Sequence, residues 1–159
     1  MTGKLDLRMI VKDHLSTFSD DGTYSVELFF ITVAAPLAFA LAALRHGPSI
    51  VNDNIDTLIS VFAIFSGLLF NVLMLIYSLP IGNGDGQKLL RESIANISYA
   101  ILVALAAVIV LTALLFVSGY ARQFLEACVV FFSANFLLSL LMVLKRIHLL
   151  LREKFPKQD

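Results

Sequence analysis

Leu58-Ile-Ser-Val-Phe-Ala-Ile-Phe-Ser-Gly-Leu-Leu-Phe-Asn-Val-Leu-Met-Leu-Ile-Tyr-Ser-Leu79 contains no charged side chain, and an acidic, amide-rich lip of Asn52, Asp53, Asn54 and Asp56 precedes it. Roughly 20 apolar residues in helical conformation span a hydrocarbon core of about 30 Å. Only a structure that satisfies its own backbone hydrogen bonds is tolerated there, which points to a transmembrane helix. The rest of the 159-residue chain agrees, with 58% hydrophobic residues, 15% charged residues and a mean hydropathy of +0.86. Soluble domains run near 45–50% apolar and about 25% charged. The chain reads as an all-α integral membrane protein without room for a separate soluble enzyme domain. Formal charge is balanced, so charge gives no reason to expect nucleic acid as a partner.

Upstream, Thr23 to Leu44 forms another apolar run with Glu27 near its start and Pro36 in its middle. Pro36 removes one backbone hydrogen bond and predicts a bend near Thr32, whose hydroxyl could satisfy a freed group. Ala34, Ala38 and Ala42 make a ridge of the kind that lets helices approach closely in lipid. A cleavable signal peptide is not the reading, because the preceding segment is long and carries aspartates in place of a short basic region. Within residues 1–20, apolar Leu5, Met9, Ile10, Val11, Leu15 and Phe18 interleave with Lys4, Arg8 and Lys12. That pattern predicts an amphipathic interfacial helix, the alternative being a solvated, frayed end.

Downstream, Pro80 ends the organising helix, and Gly82, Gly84 and Gly86 follow without the spacing or the Lys-Ser/Thr ending of a phosphate loop. A flexible connection is expected, then a helical lead-in over residues 87–96. Apolar runs from Ile97 to Val117 and from Phe124 to Leu144 are separated by the turn Ser118-Gly119-Tyr120. The predicted organisation is a four-helix bundle over residues 23–151, with spans at about 24–44, 54–79, 94–117 and 123–146, and a basic tail over 145–159. An even number of spans leaves both termini on one side, with Lys4, Arg8, Lys12, Lys88, Arg91, Lys145, Arg146, Arg152, Lys154 and Lys157; the other side holds Arg45 and Arg122. The positive-inside rule then makes both termini cytoplasmic.

Polar side chains within the spans are the candidate functional groups, because lipid offers them no hydrogen-bond partner. Ser60, Gly67, Asn71, Met74 and Ser78 share a face of the second span. Ser93, Asn96, Ala100, Ala104 and Ala107 share one on the third, and Cys128, Phe132, Asn135, Ser139 and Met142 one on the fourth. Each face is expected to meet protein. Glu27, Asn71, Asn96, Asn135 and Ser139 are therefore either a pore or vestibule lining or ordinary interhelical hydrogen-bonding groups. Arg8, Lys12, Lys88, Arg91, Lys145, Arg146, Arg152 and Lys154 are the expected contacts to lipid head groups or to a partner. His14, His46 and His148 fall outside the spans, no carboxylate sits deep, and no nucleophile set or metal-ligand spacing is present. Proton-coupled transport and catalysis are not expected, nor is a cofactor or a metal.

The short charged N-terminus, the tight turn after the first span, the run Ile55-Asp-Thr-Leu-Ile-Ser-Val-Phe-Ala-Ile-Phe-Ser-Gly-Leu-Leu-Phe70 and the basic end Leu150-Leu-Arg-Glu-Lys154 resemble small four-span inner-membrane proteins of bacterial anti-phage systems. The membrane components of the Rex exclusion and Kiwa systems are the ones in view. The resemblance implies a homo-oligomeric sensor or anchor for a cytosolic partner, or a pore that depolarises the membrane. It transfers no catalytic residue. An accessory subunit of a larger membrane complex is the remaining reading.

Overall fold

The computed structural model describes residues 7–17, 19–20, 23–24, 30–46, 51, 53–78 and 85–154. In chain order these form α1 (Leu7–Ser16), a short antiparallel pair of β1 (Ser19–Asp20) and β2 (Thr23–Tyr24), a π-helical turn (Phe30–Ala34), α2 (Ala35–His46), α3 (Ile55–Tyr77), α4 (Asp85–Leu114) and α5 (Tyr120–Lys154). The architecture is all-α apart from that two-residue pairing. Helices α3, α4 and α5 are each long and apolar enough to cross a membrane.

What joins these three is a seven-residue spacing of buried side chains. Helix α3 buries Ile55, Phe62, Leu69 and Ile76, while α4 buries Leu90, Ile97, Ala104 and Leu111 at the same interval, and α5 adds Val129, Phe136 and Val143. A seven-residue apolar repeat keeps one seam of a helix facing its neighbour over its whole length. Ala100, Ala104 and Ala107 of α4 are fully buried, and small side chains there let backbones approach. The rings of Phe62 and Phe65 meet Phe136 edge-on, at centroid distances of 5.3 and 5.9 Å. Helix α3 lies along α4, α4 along α5, and α5 along α2, while α1 rests on α4. Gly119, with φ +71°, makes the turn between α4 and α5, a left-handed conformation that glycine adopts without a Cβ penalty.

Several boundaries differ from the sequence reading. Thr23 and Tyr24 do not begin a helix; they pair with Asp20 and Ser19 in a register that leaves Asp21-Gly22 between the arms. Among the described residues of the first predicted span, helical structure covers Phe30–Ala34 and Ala35–His46, with an apolar helix at Thr32–Arg45. Helix α4 takes in the expected helical lead-in and ends at Leu114, short of the predicted 117. Helix α5 runs unbroken through residue 146 into the predicted tail.

Candidate functional site

A chain of polar contacts starts on α1 and ends inside the bundle. Helix α1 exposes Leu7, Met9, Val11 and Leu15, and its one buried residue is a histidine, His14, 1% exposed. The His14 imidazole donates through Nδ1 to Asn96 Oδ1 on α4 at 2.7 Å. Its ring also stacks on Tyr99, with centroids 3.8 Å apart and planes within 7°. One turn of α4 separates Asn96 from Tyr99, so a single helix face presents both an acceptor for the ring edge and a platform for the ring face. Thr17 closes the end of α1. Its hydroxyl donates to the His14 carbonyl at 2.7 Å and lies 3.3 Å from Asn96 Oδ1.

Arg146 of α5 fixes the same corner from the other side. It pairs with Glu92 of α4 and donates to the Thr17 carbonyl at 3.1 Å. The start of α4, the late part of α5 and α1 therefore converge at one end of the molecule. Burial pushes the His14 imidazole down to about 4, the Asn96 hydrogen bond opposes that fall, and the Arg146 charge adds to it. At neutral pH the docked histidine is uncharged, and the seat built for it favours that form.

From Tyr99 the chain runs inward. The Tyr99 hydroxyl donates to Asn135 Oδ1 on α5 at 3.0 Å, and Asn135 Nδ2 donates to the Thr32 carbonyl at 3.0 Å. Pro36 explains the last contact. Four residues after Thr32 it has no N–H, so the Thr32 carbonyl lacks its ordinary helical donor, and the Asn135 amide supplies one. Thr32 itself lies in the π-helical turn Phe30–Ala34. The Thr32 hydroxyl does not take the role expected of it: among the described residues that buried hydroxyl has no hydrogen-bond partner. Ser139, one turn on from Asn135, is buried and donates to the Asn135 carbonyl at 2.9 Å.

These links are mechanical. Amide side chains do not titrate near neutral pH, and a ring stack passes no proton, so the chain positions α1, α2, α4 and α5 without forming a proton wire. Interhelical polar bonds in membranes contribute roughly 0.6–2 kcal/mol each, enough together to hold a ten-residue helix that buries little apolar surface.

The structure brings Asn96, Asn135 and Ser139 into this chain and separates the other residues singled out from sequence. Asn71 is exposed, as are Ser60, Gly67, Met74 and Ser78 on its face of α3, so that face does not meet protein within one protomer. Arg146 is engaged internally and is not a free contact for lipid. Arg8, Lys12, Lys88, Arg91, Lys145 and Arg152 are exposed. Glu27 and the Lys154 side chain lie outside the described residues, as do Lys4, Leu5, Phe18 and Lys157. Cys128 is a half-buried free thiol.

Three buried or ion-paired residues lie outside the candidate set read from sequence. His14 stands outside the spans, although Ile10, His14 and Thr17 share a helix face. Glu92 sits in the lead-in to α4. At the opposite end of α5, Glu126 is buried and accepts from Arg122 Nε at 3.3 Å, one turn away.

The fold and its apolar helices define a helical membrane protein with a polar latch at one end. Set against protein families, characterised proteins and solved structures, the chain matches none.

Proposed function

We propose that this protein is a non-enzymatic, homo-oligomeric platform in a bacterial inner membrane, crossing four times, with both termini cytoplasmic and holding a cytosolic partner in anti-phage defence. The observation that carries the reading is the length of α5. Its 35 residues extend about 52 Å at 1.5 Å per residue, against a hydrocarbon core of about 30 Å. The excess projects beyond the bilayer from the end where α1 docks, and its exposed Lys145 and Arg152 present positive charge there. Exposed Arg8 and Lys12 on α1 enlarge the same basic surface. The defence context comes from the resemblance in topology and tail.

Asn71 supports the oligomer. It lies well inside α3, is exposed in the protomer, and makes no side-chain hydrogen bond among the described residues. An amide left in hydrocarbon is costly, and its donor and acceptor together suit pairing with a second copy. Affinity purification from gently solubilised membranes followed by native mass determination tests the platform. A symmetric oligomer carrying a soluble protein is expected, and ending the chain after Arg146 should release that protein while the oligomer persists. Full retention of the soluble protein by the truncated chain refutes the anchoring role.

The same exposed face favours a second reading, an ion-conducting assembly in which Ser60, Gly67, Asn71 and Ser78 line the path. Asn71→Leu should then abolish ion flux in liposomes while assembly survives; unchanged flux removes this reading.

A further inference from the structure

Helix α1 is sorted into three faces. His14 and Thr17 turn toward α4, both reaching Asn96. Asp13 and Ser16 border a polar cavity of about 720 Å3 against the first turns of α4, beside Gln87 and Arg91. Leu7, Val11 and Leu15 stand four residues apart and so form one stripe. They are 45%, 36% and 41% exposed and line a separate groove along the helix. Asp13 follows Val11 by two residues, a rotation of about 200°, so the polar cavity and the apolar groove lie on opposite sides of α1. An amphipathic helix of a globular protein turns its apolar stripe to the core. Here a histidine takes the buried position, 1% exposed, and the stripe is turned away from the bundle.

The height at which α1 docks identifies what covers that stripe. His14 meets Asn96 and Tyr99, which straddle the start of the α4 apolar run at Ile97. Arg146, two residues past the end of the α5 apolar run at Leu144, holds the Thr17 carbonyl. The C-terminal end of α1 is thereby fixed at the edge of the hydrocarbon. Its ten residues extend about 15 Å, too short to cross a core of about 30 Å and suited to lying along its surface. Contiguous apolar stripes are seldom left bare in water. Lys12 adjoins the stripe on the side away from α4, where its stem can stay among apolar groups while the ammonium reaches head-group phosphates. We propose that α1 is an interfacial helix whose stripe of Leu7, Val11 and Leu15 is covered by the acyl region of the adjoining leaflet. Lipid and the Asn96 seat then hold the latch helix from two sides.

The chain contains no tryptophan, so a single introduced indole reports alone. Leu7→Trp, Leu15→Trp and Asp13→Trp are each made in the full chain, placed in lipid nanodiscs without any added partner, so the result stands or falls separately from the platform reading. Quenching by phospholipids with brominated acyl chains reads contact with lipid, and quenching by acrylamide reads contact with water. L7W and L15W should lose emission to the brominated lipid, emit at shorter wavelength and resist acrylamide, while D13W on the cavity side shows the reverse. Acrylamide quenching of the stripe variants to the level of D13W overturns the proposal by placing the stripe in water. Protection from both quenchers overturns it by placing protein, such as a second copy, over the stripe. If one stripe variant does not assemble, the other decides. Hydrogen exchange gives a second reading, because Val11→Gln leaves the His14 contacts in place and glutamine is the better helix former. Protection of residues 7–16 in nanodiscs should nevertheless fall in V11Q, and unchanged protection overturns the proposal.

Discussion

Helices α3 and α4 carry the same kind of sequence and have opposite surroundings. Each is a long apolar helix with an asparagine on a face of small and polar residues. Yet 39% of the apolar window of α4 is buried and 17% of that of α3. Asn96 is fully buried between His14 and Thr17, while Asn71 is exposed. Helix α4 has neighbours on several sides, α1, α3 and α5, and its alanines admit them. Helix α3 packs mainly on α4 and turns inward the large residues Ile55, Phe62, Leu69 and Ile76, of which Phe62 also meets Phe136 of α5. Where one seam is enough, bulky side chains at seven-residue spacing take it, and the polar face turns outward. An intramembrane asparagine thus marks a face that needs a partner without saying whether that partner lies in the same chain.

The contrast can be broken most severely at Asn96. Asn96→Leu removes the acceptor of His14 Nδ1 and should cost about 1–3 kcal/mol, the range for leaving a buried donor unsatisfied. Hydrogen exchange should show residues 7–16 losing protection while α3 keeps its own.

Acid should reach the same latch reversibly. The folded value of His14 is depressed to about 4 from about 6.5 in an unfolded chain. Its contribution is therefore fully present above pH 6.5 and is lost as the pH falls through 4, up to about 3 kcal/mol in total. Proton uptake must accompany release of α1, because the docked seat disfavours the imidazolium. Exchange measured between pH 7 and pH 4 should show α1 opening progressively, and His14→Phe, which keeps a stacking ring and cannot titrate, should remove that dependence.

A smaller effect is expected at Asn135. Replacement by leucine removes the donor to the Thr32 carbonyl and the acceptor for Tyr99, costing about 1–2 kcal/mol. Pro36→Ala restores a backbone N–H four residues after Thr32, so the double variant should lose less than the sum of the two single changes. A double-mutant cycle by thermal unfolding reads this coupling directly. The least change in protomer stability is expected for Asn71→Leu, within about 0.5 kcal/mol, as for a substitution away from intramolecular contacts. Under the platform reading its effect falls on subunit association, read by native mass.

The three long helices are legible in the sequence because uninterrupted apolar runs bounded by Asp53, Asp56, Pro80 and Gly119 admit few other structures in lipid. The inward face of α4 is legible for a related reason, since Ser93, Asn96, Ala100, Ala104 and Ala107 combine small size with polarity on one side. No such contrast exists on α3. Phe62 and Leu69 in the seam are no more apolar than exposed Ile64 and Leu68, so hydrophobic pattern cannot choose between protein and lipid. The latch was invisible for another reason. His14 and Asn96 are 82 residues apart, and nothing local to either specifies the other. Pro36 was informative about the bend, but the group that answers its missing N–H comes from α5, which the local sequence cannot indicate.

The polar contacts have a final consequence for how the molecule meets bilayers of different thickness. Asn135 fixes α2 against α5, Tyr99 fixes α5 against α4, and His14 fixes α1 against α4, each at one height along the helix axes. Among the described residues no side-chain hydrogen bond joins α3 to these helices, and the apolar seam that holds it is far less particular about sliding. Hydrophobic mismatch is relieved by tilt at a modest cost per ångström. In a thinning membrane the pinned helices would keep their mutual heights, and α3, with its exposed Asn71, would lean.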